Sequence, residues 1–385
     1  MSSESNPAKR GDVVLSKYTS MCGNELATTA LAFTPDGESL VSGSAESGLL
    51  VWSTTTRRVT NRLEGHFDWV LTLTFTSCGS FMVSGSKDWT AKVWDAVKWK
   101  YIDTLWGHKA PVTQCVFTTN DEVLVTVAGD CTIRLWNCRQ ARRQQLRVFD
   151  IMGASPTGQP NWRMLTELPS SHTNRITCCA VTRDTKWFFT GADDGRVAVW
   201  DVSRWEEKRM WTPVENELVL TICAEDERNH VILSGGTDGR LRVWHIGSWE
   251  CLHNHPAHTD WLNALAMDPV KRLSYSGGQD YQVIVWGSDS WDRLSTVSCR
   301  AEVMCIAIQP DTGMMHAATE DGEIEVWNVQ FGSGSRPTTP STRPPSGMAT
   351  PATFTPASTR PSSAVMTRAS TGRVMGSPTR VPTRG

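Results

Sequence analysis

Short runs of alternating apolar and polar residues recur along most of this chain, each closed by a cluster of small polar residues. The clearest stretch lies between Gly65 and Asp95. Val70, Leu71, Leu73 and Phe75 form one run, Phe81 and Val83 a second, and a small polar turn splits them. A third run, Ala91-Lys92-Val93-Trp94, follows the turn Ser86-Lys87-Asp88. Alternation with period two over roughly five to eight residues predicts half-buried strands, and the Gly, Ser and Asp clusters predict hairpins. Tyr101, Ile102 and Leu105 then supply a fourth strand before the next Gly-His pair.

The same arrangement returns with a fixed period. Trp52, Trp94, Trp136, Trp200, Trp244, Trp286 and Trp327 are separated by 42, 42, 64, 44, 42 and 41 residues, so one gap holds a period plus an excess of 22. Such a period means stacked supersecondary units. Three further residue types keep their distance from the Trp: a His 28 before it, a Ser or Thr 10 before it and an Asp 6 before it. The sets are His66, Ser84, Asp88 and Trp94; His108, Thr126, Asp130 and Trp136; His172, Thr190, Asp194 and Trp200; and His258, Ser276, Asp280 and Trp286. A Ser-His-Asp trio suggests a hydrolase when it occurs once. Four copies at one period point instead to a structural network of one carboxylate, one imidazole, one hydroxyl and one indole donor.

Over roughly residues 11–331 this pattern resembles the WD-repeat family, with Gly-His at one end of each unit and Trp-Asp at the other. The resemblance implies that the Asp lies in the turn between the second and third strands and bonds the His. It also implies that the His bonds the hydroxyl, and the hydroxyl the indole N–H. The expected fold is all-β, a seven-bladed β-propeller with four antiparallel strands per blade, since radial blades protect sheet edges. The last copy lacks a fourth strand after Val329, and Val13-Val14-Leu15 is the candidate that closes it. Three copies are degenerate. The first has Asn24 and Glu46 at the His and Asp positions, the fifth has Asn216, Ser234 and Asp238, and the seventh has Cys299, Ala317 and Asp321. Those blades are expected to rely more on apolar packing. Trp99, Trp205, Trp249 and Trp291, each five after a blade Trp, are expected to anchor the outer strand.

Composition divides the chain into 1–10, a disordered start; 11–331, the propeller, with an insertion at about 138–170; and 332–385, a tail. The tail holds seven arginines, no lysine and no acid, with nine of the nineteen prolines, while 20 of its 54 residues are Ser or Thr. It carries +7, and the formal total of −2 leaves −9 on the remainder. Such a tail cannot bury enough apolar surface to order itself, so disorder is expected. Thr339, Thr350, Thr355 and Ser377 each precede Pro and are candidate phosphorylation sites. Each event adds about −1.5 to −2 charge and would switch the tail's attraction to an acidic partner such as a microtubule surface. Eleven cysteines without paired spacing read as reduced thiols of a cytoplasmic protein, with the cytoskeleton or nucleus as the alternative. No apolar run reaches the ~18 residues of a membrane span, and the polar start lacks the stretch of a secretory signal. Neither membrane nor nucleic acid is an expected partner.

Candidate partner-binding residues fall in two groups. Trp69 and Trp89 in the second copy and Trp261 and Tyr281 in the sixth flank the His loop and the Asp turn, where they either anchor a partner or cover the blade end. Arg139, Arg142 and Arg143 lie in the insertion, assigned to the fourth strand of blade three or the loop after it. Trp136-Asn137-Cys138-Arg139 matches a short box through which some WD-repeat proteins dock on cullin-RING ubiquitin ligase adaptors. Cys251, His253 and His255 share one strand face, but no fourth ligand is evident and no metal is expected. No phosphate-binding or dinucleotide motif is present, so no cofactor is expected either. The reading is a non-enzymatic interaction scaffold of a multi-subunit assembly; the alternative is a substrate receptor of a cullin-RING ligase.

Overall fold

The computed structural model describes residues 13–138, 162–213, 218–224 and 230–331. Across these residues it is all-β, with twenty-eight strands and no helix. The chain divides into two units, Met1–Pro337 and Thr338–Gly385, and the second lies wholly outside the described residues. Seven four-stranded antiparallel sheets form the blades. In six of them the strands follow one another in chain order, as Val70–Phe75, Phe81–Ser86, Ala91–Asp95 and Lys100–Leu105 do in blade two. First strands touch first strands around the full circle, blade one meeting blade seven. They line an axial cavity of about 230 Å³.

The apolar core lies between blades rather than inside them. Seven buried clusters occur, each shared by two neighbouring blades; one joins Val41, Leu49 and Val51 of blade one to Val70, Met82 and Trp94 of blade two. Close approach needs a residue without a side chain. A Cβ on Gly235 would stand 2.4 Å from Leu262 of the next blade, and one on Gly43 would stand 2.6 Å from Val70. Hydroxyls sew the inner strands together: Thr113 Oγ1 donates to the Ile176 carbonyl at 2.7 Å, and Thr29 and Thr177 donate likewise to Val70 and Val219.

The third-to-fourth-strand turns add a second inter-blade device, which corrects the expected role of four tryptophans. Trp99, Trp205, Trp249 and Trp291 sit in these turns with φ between +53° and +62°. Instead of holding only their own outer strand, they reach into the cluster shared with the preceding blade. Trp249 packs edge-on to Trp187 of blade four at 5.5 Å, and Trp291 is buried among Val231, Leu233 and Leu241 of blade five. In blade one the position holds Arg57, whose guanidinium lies 4.1 Å from the ring of Tyr18 in the closing strand.

Blade three also departs from expectation. Its fourth strand, Met164–Pro169, is regular and pairs with Thr132–Asn137, so the excess precedes that strand. Trp162 does there what Trp99 does in blade two, packing at 5.7 Å on Phe81 of the preceding blade and at 6.4 Å on Phe117. Buried Cys138 and Trp162 therefore pin both ends of the insertion. Blade five holds a smaller correction. Val219 pairs with Gly236 as Val70 pairs with Ser86, so one more residue separates it from its blade tryptophan than in blade two; Asn216, read at the His position, lies outside the described residues.

The closing strand is Val13–Cys22, paired antiparallel with Glu323–Phe331, so the chain's first described strand completes the last blade. Blade seven carries one misfit. His316 occupies a position where the other blades place Val41, Val83, Val125, Phe189, Leu233 and Tyr275. It is buried, its Nδ1 has no hydrogen-bond partner, and Phe33 of blade one meets its ring edge-on at 4.9 Å. Burial pushes its pKa down from 6.5 to about 4.

Two outcomes follow. Removing residues 1–20 strips most of the closing strand and exposes a sheet edge, so the truncated chain should aggregate or melt at least roughly 10 °C lower; an unchanged melting temperature would show that the closure is dispensable. At His316 the folded form refuses a proton that the unfolded chain accepts. Stability is therefore full above pH 6.5 and falls by about 3 kcal/mol as pH drops towards 4. His316→Val should shrink the difference between urea midpoints at pH 7 and pH 4.5, whereas an equal acid loss in both proteins would contradict the assignment.

Candidate functional site

In the four complete blades the recurring residues meet as their spacing implies. The Trp94 indole donates to Ser84 Oγ at 2.8 Å, that oxygen lies 2.7 Å from His66 Nε2, and His66 Nδ1 lies 2.8 Å from Asp88 Oδ2. The indole can only donate, so the hydroxyl proton goes to Nε2 and the imidazole proton sits on Nδ1, facing the carboxylate. Blade three repeats this through Trp136, Thr126, His108 and Asp130 at 3.0, 2.8 and 3.0 Å. Blade four does so through Trp200, Thr190, His172 and Asp194 at 3.2, 3.0 and 3.2 Å. Blade six uses Trp286, Ser276, His258 and Asp280 at 3.0, 2.9 and 2.8 Å.

Each Asp also ties down its own loop. Asp88 accepts from the backbone N–H of Phe67 and from the hydroxyl and N–H of Thr90. Burial opposes ionisation of Asp88 and Asp130, yet the bonds from His, Thr and backbone outweigh it and hold both carboxyls well below the usual range. Burial likewise lowers the pKa of His258. Every polar atom of the trio is committed, and the hydroxyls of Ser84, Thr126, Thr190 and Ser276 are buried. The network orders the loops.

The degenerate blades do not simply fall back on apolar packing. In blade one Trp52 still donates to Ser42 at 2.9 Å, Asn24 bonds Thr28, and Glu46 accepts from the N–H groups of Glu25 and Leu26. Blade five keeps the Trp244–Ser234 bond at 2.9 Å, and Asp238 turns to Arg242. In blade seven Ala317 offers no hydroxyl and the Trp327 indole N–H has no partner. An ion pair between half-exposed Lys17 and buried Glu325 at 2.5 Å stands there instead.

The ordered loops present the predicted aromatics on one rim. Trp69 and Trp261 are each 43% exposed, Trp89 52% and Tyr281 50%. Phe67 and Trp106 are exposed too, at 86% and 68%; neither is among the sequence candidates, and their places beside Gly65-His66 and Gly107-His108 are the signal that would have marked them. The Lys87 ammonium lies 4.6 Å from the Trp69 ring centroid.

Backbone conformation sets two of these residues apart. The residue after the turn Asp or Glu has positive φ in every blade: Ser47, Cys131, Gly195, Gly239, Gly322, and also Trp89 at +70° and Tyr281 at +64°. A non-glycine residue there costs about 1–2 kcal/mol. Three blades use glycine, whereas blades two and six place a large, half-exposed aromatic. Glu302 stands near Glu320 and near Asp260, the neighbour of Trp261; burial and then repulsion from Glu320 and Asp260 raise its pKa.

The remaining candidates separate. Arg139, Arg142, Arg143, Thr339, Thr350, Thr355 and Ser377 lie outside the described residues, and so does the last residue of the Trp136-Asn137-Cys138-Arg139 box. His253 and His255 stack at 5.5 Å, with His255 also 5.3 Å from Trp286, so their faces are engaged by rings. Among the described residues no cluster suited to a metal ion occurs, and no helix is long and apolar enough to cross a membrane.

A family model described as WD domain, G-beta repeat matches residues 16–53, 57–95, 99–137, 162–201 and 249–287, together just over half of the chain. Blades five and seven, whose networks are rebuilt, supply no complete matched unit. A search of curated proteins found no match. The recurring indole–hydroxyl–imidazole–carboxylate networks, the seven closed blades and these five repeats place the chain in the WD-repeat family, whose propellers bind other proteins.

Proposed function

We propose that this chain is a non-enzymatic scaffold of a cytoplasmic multi-subunit assembly, and that it engages a partner protein through the rim bearing Trp69, Trp89, Trp261 and Tyr281. One observation carries the reading: Trp89 and Tyr281 occupy left-handed turn positions that glycine fills in three other blades, and they remain half exposed. The same backbone conformation serves packing at buried Trp291, so it is the half-exposure of Trp89 and Tyr281 at such a position that supports contact with a partner. Tryptophan and tyrosine are also the commonest interface anchors, worth 2 kcal/mol or more each, roughly thirtyfold in affinity.

Trp89→Gly separates the two roles of that residue. The variant should keep its unfolding free energy within about 1 kcal/mol of the native value, because relieved strain offsets lost contacts. Combined with Trp69→Ala, it should lose co-purifying partners at least roughly thirtyfold in quantitative affinity purification. Val97→Ser with Val270→Ser, two exposed positions on the opposite rim, serves as the control and should lose none. Equal partner recovery from all three proteins would overturn the rim assignment.

A second element of the proposal concerns residues 332–385. Their +7 charge supports binding to an acidic surface such as a microtubule, weakened by phosphorylation at Thr339, Thr350, Thr355 and Ser377. Full-length protein should cosediment with microtubules at low salt, and less at high salt or without the tail. Equal, salt-insensitive recovery would remove this part of the reading.

A further inference from the structure

The residue two before each repeated tryptophan lies on the third strand of its blade. Blades one, four and six hold Leu50, Ala198 and Ile284 there, and blades two, three and five hold the buried cations Lys92, Arg134 and Arg242. Each cation has its own partner: Thr104 at 2.9 Å, Glu167 at 2.6 Å and Asp238 respectively. Blade seven reverses the sign. Glu325 is fully buried, and its Oε1 meets Nζ of Lys17, delivered by the closing strand. The register makes this a diagonal contact, since Lys17 pairs with Trp327 and Glu325 with Ser20. The ammonium also lies 5.7 Å from the centroid of the Trp327 ring.

We propose that the Lys17–Glu325 pair is the latch that assigns the first strand to blade seven, and that neutralising Lys17 opens the ring at this seam and nowhere else. Placed on blade two, three or five, Lys17 would meet a buried cation. On blade one, four or six it would find an aliphatic side chain at that position and no counter-charge. Among the seven residues two before a blade tryptophan, Glu325 alone is a carboxylate; within its own blade it meets the Cys299 thiol, and among the described residues no cation is bonded to it but Lys17. The two ends of the pair are unequal. The Lys17 side chain is 36% exposed and can turn to water, whereas Glu325 is 0% exposed and cannot. Loss of Lys17 therefore strands a buried charge, while loss of Glu325 only frees a surface one. The strand Val13–Cys22 would then detach from Glu323–Phe331, leaving a three-stranded last blade with an open edge. The pair at the other end of the seam, Arg300–Glu323 at 2.7 Å, has a largely exposed arginine and cannot replace the latch.

Amide hydrogen exchange on the full-length chain tests this, comparing native protein with Lys17→Met, Lys17→Arg, Glu325→Gln and the double variant Lys17→Met/Glu325→Gln. Lys17→Met should accelerate exchange in residues 13–22 and 323–331 about a hundred- to a thousandfold and leave blades two to five at native rates. Lys17→Arg should resemble the native protein, Glu325→Gln should change the seam less than tenfold, and the double variant should recover most of the protection. Native rates in Lys17→Met, uniform acceleration of all blades, or no recovery in the double variant would each overturn the proposal. Should Lys17→Met not accumulate as folded protein, rescue by the double variant supports the latch, and failure of that variant as well refutes it.

Discussion

A buried indole has one hydrogen-bond donor, and leaving it unmet in an apolar interior is costly. Six of the seven blades of this propeller meet that demand with a hydroxyl. Because the indole can only donate, its partner must accept, and a hydroxyl that accepts from Trp still has a proton to place. The imidazole takes it, and the carboxylate takes the imidazole's. The chain of obligations runs from the blade's middle to its rim and ends at backbone N–H groups such as that of Phe67. One polar atom thereby orders a whole loop. Blade seven shows the converse: without a hydroxyl the Trp327 donor stays unmet, and charge from a strand more than three hundred residues away holds that sector.

Between blades the logic is apolar. The seven clusters occupy the boundaries, so no blade has a core of its own and each is stable only beside its neighbours. The turn side chains that reach back, Trp99, Trp162, Trp205, Trp249 and Trp291, deepen that dependence. Arg57 on Tyr18 performs the same act across the seam with a cation and a ring. A ring built this way depends on its closure, and the closing strand therefore carries more consequence than its ten residues suggest.

Rigidity of this kind leaves the rim free for other work. With the loops fixed from beneath, an aromatic side chain can be held in a conformation that would otherwise be avoided, as Trp89 and Tyr281 are. Pre-organised aromatics lose little freedom on contact with a partner. That is the physical basis of the proposed partner-binding rim.

Blade number, strand identity and the four hydrogen-bonded networks were all legible in the residues alone, because strand pairing converts a constant spacing into a constant position. His66, Ser84, Asp88 and Trp94 meet within one blade for that reason. Where the period broke, counting failed. Trp162 stands twenty-six residues after its blade Trp instead of five, and only the structure shows it filling the same place. One extra residue between Val219 and Trp244 breaks the count in blade five as well. Contacts between blades escaped the sequence, since Trp249 acquires Trp187 only when blade five packs on blade four, and the Lys17–Glu325 pair forms only when the ring closes.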